Sequence, residues 1–108
     1  FDKMNEEDVS FLEKDFTVFQ YENYSEGVKK GYSKAKGMEI AGNFLGVGRD
    51  NMMAIGDSMN DFDMIAYAGI GVAMGNADIK IKKKAKYITE HIKDDGAAVA
   101  IEKYILGR

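Results

Sequence analysis

Two short apolar runs limit what this chain can fold into. "NMMAIG" (51–56) and "IGVAMG" (70–75) are continuously apolar, and sequence of helical character separates them. A strand with one wet face alternates polar and apolar residues, whereas a strand covered on both faces does not. Ahead of the first run, "KAKGMEIAGNFLGV" places Met38, Ala41 and Leu45 at helical spacing, with Gly46 positioned to stop the helix. "NDFDMIAYAG" reads as a helix ending at Gly69, and "DIKIKKKAK" as a short helix. "YIT" (87–89) reads as a third strand, and "DGAAVAIEKYIL" as a last helix with Ala98, Ile101 and Ile105 on one face. Residues 34–106 thus alternate helix and strand, which predicts an α/β fold with a parallel sheet between two helical layers.

The N-terminal part reads differently. "NEEDVSFLEK" (5–14) suits a short helix capped by Asn5, with acids in its first turn and Val9 and Leu12 on a shared face. "FTVFQY" (16–21) is aromatic and β-branched, as strands are. "ENYSEGVKKGYS" carries two glycines and reads as a connector with room for another short strand.

Sheets of parallel strands bind ligands beyond the carboxyl ends of their strands. Gly56-Asp57 and Gly75-Asn76 lie at two such ends, so "GDSMND" stands where this architecture places chemistry. Asp57 leaves the strand and Asp61 follows across a turn, so both carboxylates can face one small volume. Two carboxylates held close repel each other unless a cation sits near them. Mg²⁺ suits such a place, because it takes hard oxygen ligands and is commonly held by one or two carboxylates plus a substrate phosphate. Asn60 can donate to a phosphate. Gly, Asp, Ser and Asn are equally the residues of turns and helix N-caps, so a plain capped turn is the alternative.

The bulk numbers narrow the class. At 108 residues the chain is one domain or a piece of one, and its first residue is Phe1 rather than Met, as in a piece of a longer product. A net charge of −3 gives no general attraction to nucleic acid or anionic membrane. The chain has no cysteine, which excludes disulfides and thiolate chemistry. No apolar run approaches the ~20 residues of a membrane span, and no signal peptide is visible. The expectation is a cytoplasmic protein with neither a nucleic-acid nor a membrane partner.

"AIGDSMNDFDMIAYAGIGVAMGNA" resembles the final motif of the haloacid dehalogenase (HAD) superfamily, and within it the Cof-type sugar-phosphate phosphatases. That pattern is a strand, G-D-x-x-N-D, a helix, and a strand ending in G-V-A-M-G-N-A. It is matched by Gly56, Asp57, Asn60 and Asp61, then by residues 71–77. The likeness continues through "AKYIT" (85–89) and "DDGAAVAIEKYI" (94–105). Upstream, "YSKAKGMEI" resembles the family's lysine motif and makes Lys34 its lysine, with Ala35 where the family usually has glycine. The resemblance implies a partial Rossmann-like core over residues 25–108, and in residues 1–24 a short remnant of an α+β cap domain. It further implies hydrolysis of a small phosphorylated metabolite, such as a sugar phosphate, through a covalent aspartyl-phosphate with Mg²⁺. In that scheme Asp57 is a metal ligand. Asp61 supports the metal shell and pairs with Lys34, and Lys34 neutralises the phosphate and the nucleophile. Asn60 and Asn76 sit near the phosphate.

The family's nucleophile lies in a D-x-D-G motif, which this sequence does not place. "DFD" (61–63) has the spacing but falls inside a helix and lacks the glycine, and "DDG" (94–96) is read as the cap of the last helix. The chain therefore resembles the C-terminal part of such a phosphatase, with half a metal site. Loss of a covalent nucleophile costs on the order of 10⁶ in rate, so the chain alone is expected to be inactive. In the family fold the strand at 51–56 pairs with the nucleophile strand. Left bare, that edge invites pairing, so a homodimer or an association through residues 51–56 is expected. Two other functions stand beside the enzyme: a non-catalytic remnant that works by assembly or weak metal binding, and a nucleotide or phosphate sensor. A sensor would more naturally carry G-x-x-x-x-G-K-[ST], which is absent.

Three further features are read as structural. The basic run "KIKKKAK" (80–86) has no interleaved aromatic and is expected to be a solvated helix face. His91, the only histidine, has no cysteine or second histidine to join it as a metal ligand. The seven methionines are expected to pack the core, with Met52, Met53 and Met74 near the site.

Overall fold

The computed structural model describes Asp2 and residues 4–107. Contacts divide the chain into two units, one ending at Ser33 and the other beginning at Lys34. The division falls later than the expected end of the cap remnant at residue 24.

The first unit is a helix and a hairpin. Helix α1 (Glu6–Leu12) begins where the side chain of Asn5 accepts from the Asp8 N–H at 2.8 Å, which satisfies one of the donors a helix start leaves free. Strands β1 (Phe16–Gln20) and β2 (Ser25–Lys29) pair antiparallel, with Phe16 opposite Lys29 and Gln20 opposite Ser25. The connector thus does contain a second strand. Tyr21 and Tyr24 stack at its turn, ring centroids 4.7 Å apart. Ser25 is buried, donating to Gln20 Oε1 and accepting from the Met4 N–H.

The second unit is the α/β fold that the apolar runs predict. Strands β3 (Met53–Gly56), β4 (Ile70–Ala73) and β5 (Tyr87–Ile88) form a parallel sheet in that order. Gly56 lies opposite Ala73, and Ala73 opposite Ile88. Helix α2 (Lys34–Leu45) precedes β3, α3 (Phe62–Tyr67) joins β3 to β4, α4 (Ile79–Lys84) joins β4 to β5, and α5 (Gly96–Tyr104) follows. The central strand β4 is buried continuously from Gly71 to Ala73, which is why its sequence shows no alternation. The core gathers Ala54, Ile65, Ala68, Ala73, Met74, Ala77 and Ile81, and Met38, Met52, Met59 and Met64 pack around it.

Two helices turn faces inward that differ from the expected ones. On α2, Met38 packs against the core and Gly42 is buried, while Ala41 and Leu45 are exposed along with Ile40 and Phe44. Glycine sets this rotation: a Cβ at residue 42 would overlap the Met52 methyl and the Val47 carbonyl. The helix then stops as predicted, with Gly46 at φ 71° and the Val47 N–H returning to the Gly42 carbonyl at 2.8 Å. On α5, Gly96 and Ala100 are buried, while Ala98, Ile101 and Ile105 are exposed. Gly96 lies against the Glu90 carbonyl, and Tyr104 stacks on Tyr87 at 4.3 Å, which together fix the helix about its axis. Asp95 precedes α5 in the left-handed region at φ 57°, and its side chain makes no cap bond, contrary to the capping expected of "DDG". Among the described residues no helix is long and apolar enough to cross a membrane.

Candidate functional site

The site is built where β3 and β4 end. Gly56 closes β3, Asp57 leaves it, and a single 3₁₀ turn (Met59–Asp61) leads into α3. Asp61 faces back toward the strand. Its Oδ2 accepts from the backbone N–H groups of Asp57 (3.1 Å) and Ser58 (3.2 Å). Its Oδ1 accepts from the Lys34 ammonium at the start of α2. Asp61 is only 5% exposed, so this carboxylate is a buried anchor rather than a surface charge. Gly56 makes room for it: a Cβ there would come within 2.5 Å of the Asp61 Cβ. The glycine and the second aspartate of G-D-x-x-N-D are thus one packing unit.

Asp57 is held differently. Its Oδ1 accepts from the Ser58 hydroxyl at 3.1 Å, and its Oδ2 from the Asn76 amide at 3.2 Å. Both donors are neutral, and Asp57 is half-buried, so each oxygen keeps lone pairs for a further ligand. Asn76 stands beyond the end of β4, and its own Oδ1 accepts from the Ile92 N–H at 2.9 Å. One amide therefore ties the Asp57 carboxylate to the segment before α5. The Asp57 carbonyl accepts from the Asp78 N–H at 3.3 Å, which joins the β3 turn to the start of α4.

Lys34, Asp57, Asp61 and Asn76 are thus brought together through contacts around one turn, and Asn60 is half-buried within that turn. The two carboxylates divide the work. Asp61 has three donors on it, one of them cationic, whereas Asp57 has two neutral ones. Ser58 was not singled out in the sequence, although a hydroxyl directly after Asp57 was the available signal. Among the described residues no group of three or more His, Cys, Asp or Glu side chains is placed to hold a metal. What the chain offers a hard cation is the Asp57 carboxylate, aimed by Ser58 and Asn76, and this donor chemistry fits Mg²⁺ as one ligand of several. His91 lies elsewhere in function: its Nδ1 accepts from the Lys93 N–H at 3.0 Å.

A family model described as haloacid dehalogenase-like hydrolase matches residues 1–101. The chain belongs to this family. Among its HAD relatives, a 5-amino-6-(5-phospho-D-ribitylamino)uracil phosphatase of Bacillus subtilis is 46% identical over 76 residues, covering 70% of this chain and 30% of the relative. A HAD-like hydrolase from Bacteroides thetaiotaomicron superposes with a TM-score of 0.76 at 43% identity, over 90% of this chain and 37% of the other. A sugar phosphatase of HAD subclass IIB superposes with a TM-score of 0.83 at 30% identity, over 94% of this chain and 40% of the other. The chain spans under a third of the length of the first curated relatives that it matches.

Proposed function

We propose that this chain carries the lysine and metal-holding half of a Mg²⁺-dependent phosphatase acting on small phosphorylated metabolites such as sugar phosphates. The observation behind this reading is the division of labour at the turn. Asp61 fixes the Lys34 ammonium and the Asp57 backbone at once, so a cation and a free carboxylate edge are set in one place. The names of the relatives support the reaction class, since two of those described above are phosphatases. When bound, Mg²⁺ would neutralise charge on the phosphate, and Asp57 would be its ligand from this chain. Asp61 would support that metal shell through the turn rather than by a free oxygen of its own. Lys34 would face the phosphate and the attacking carboxylate, and Asn60 would donate to the phosphate. Asn76 would hold Asp57 in its rotamer. Phosphoryl transfer needs chiefly positioning and charge neutralisation, which these groups provide.

The attacking carboxylate would come from a D-x-D-G strand seated on the outer edge of β3, which pairs with no strand among the described residues. The test is magnesium-dependent hydrolysis of p-nitrophenyl phosphate by this chain, alone and joined to such a strand. The reading expects no turnover from the chain alone, and turnover in the joined protein that Asp57→Asn and Lys34→Ala each abolish. An aspartyl-phosphate formed on the chain alone would overturn it.

A second reading rests on the same edge. Along its outer edge, which pairs with no strand among the described residues, β3 offers backbone donors and acceptors to another copy, and the exposed Ile40, Phe44 and Leu45 on α2 add uncovered apolar surface. In this reading the chain is an assembly module that keeps a half-site, present as a homodimer or larger. Sedimentation showing a stable monomer at micromolar concentration would remove it.

A further inference from the structure

A groove of about 380 Å³ adjoins the candidate site at its turn and is lined by Met59, Phe62, Lys80, Lys83 and Lys84, not by Lys34 or Asn76. It is shallow and open to solvent, so a ligand would lie on it rather than be enclosed. Its two sides differ in chemistry. Met59 and Phe62 are half-buried and pack against the core, so the apolar side rests on a rigid support. The other side is α4, whose lysines are exposed or half-buried. Among the described residues the ammonium groups of Lys80, Lys83 and Lys84 form no ion pair.

The sequence weighs against nucleic acid here, because the net charge is negative and no aromatic interleaves "KIKKKAK". The fold supplies one from another element: Phe62, the first residue of α3, lines the same groove as three of these lysines. An apolar platform beside unpaired cations is complementary to a ligand with a flat body at one end and an anion at the other. Phe62 offers a face or edge for stacking, and the Met59 thioether packs on ring edges. Lysine ammoniums act as rotatable point charges, suited to a phosphate that presents several oxygens. We propose that this groove binds a small aromatic anion of the nucleoside monophosphate class, with its base on Phe62 and Met59 and its phosphate on Lys80, Lys83 and Lys84.

The test is a titration of the full chain, labelled with ¹³C at its methionine methyl groups, with AMP. Adenosine and inorganic phosphate are run as separate arms. The proposal expects a saturable shift of the Met59 methyl with AMP, weaker binding of either half alone, and affinity that falls with added salt. Lys83→Glu with Lys84→Glu is expected to weaken AMP at least about tenfold. Should that charge reversal unfold the chain, Lys83→Gln with Lys84→Gln asks the same question and is expected to weaken AMP as well. Lys103→Gln, on α5 and outside the groove, is expected to leave the affinity unchanged. Three results would overturn the proposal: no saturable shift at Met59, AMP affinity lost in Lys103→Gln but kept in the α4 variants, or phosphate or adenosine alone binding as tightly as AMP.

Discussion

The two units of this chain bury their residues to very different degrees. From Lys34 onward, the sheet and its helices enclose a cluster of apolar side chains, and Val72, Ala73, Ile81 and Ala100 have no exposed surface at all. In the first unit α1 buries no residue, and the fully enclosed side chain is a serine. Every residue of the candidate site belongs to the enclosed unit. A carboxylate such as Asp61 can be kept out of water only where packing holds three donors on it, and the hairpin unit has no comparable interior. Rigidity and chemistry therefore share one unit, while the hairpin is held by its ladder and by local contacts.

That contrast can be broken by substitution. Ile81→Ala should have the largest effect, about 3 kcal/mol, because it empties a fully enclosed site in the core. Val18→Ala in the hairpin should cost under about 1 kcal/mol, since Val18 is only half-buried. Urea denaturation of both variants reads the difference, and equal losses would mean that Val18 is packed as closely as Ile81.

Asp61→Ala should follow, at about 2–3 kcal/mol, because it strands two backbone donors and the Lys34 ammonium together. Asp61→Asn should cost less, since its carbonyl still accepts one of those bonds. If Asp61→Ala were neutral in urea denaturation, the anchoring role described for this carboxylate would fail.

Asn5→Ala should cost about 1 kcal/mol, felt in the first unit alone, because it removes the cap of α1. Hydrogen exchange checks this directly: faster exchange at residues 6–12 with unchanged protection at residues 71–74 is the expected pattern.

Asp57→Asn should have the smallest effect on stability, within about 0.5 kcal/mol, since its partners are neutral and one acceptor oxygen survives. Its effect on magnesium should be large. A magnesium titration followed by amide shifts at residues 57–61 is expected to saturate in the unaltered chain and to be lost in Asp57→Asn. A large stability loss would place Asp57 with Asp61 as an anchor and erase the distinction between them.

Much of this was legible in the residues. The apolar runs at 51–56 and 70–75 marked buried parallel strands, Gly46 marked the end of α2, and Asn5 marked the start of α1. The G-D-x-x-N-D spacing and Lys34 named the residues that meet around the turn. Other features were not legible. Helical spacing selected Ala41 and Leu45 on α2, and Ala98, Ile101 and Ile105 on α5, yet both helices turn these residues outward. Periodicity registers where apolar residues lie, not where a missing side chain lets two backbones approach, and Gly42 and Gly96 set the rotation.

The order of residues alone accounts for the alternation of helix and strand, the place of the polar cluster at the strand ends, and membership of the haloacid dehalogenase-like hydrolases. These follow from local pattern, since burial on two faces and turn chemistry act on neighbouring residues. Packing between distant elements makes Asp61 the buried anchor and Asp57 the available carboxylate, and sets Phe62 beside the lysines of α4. Both depend on which donors and which faces reach a residue from distant elements. That is a matter of how helices settle on a sheet, which spacing along the chain does not encode.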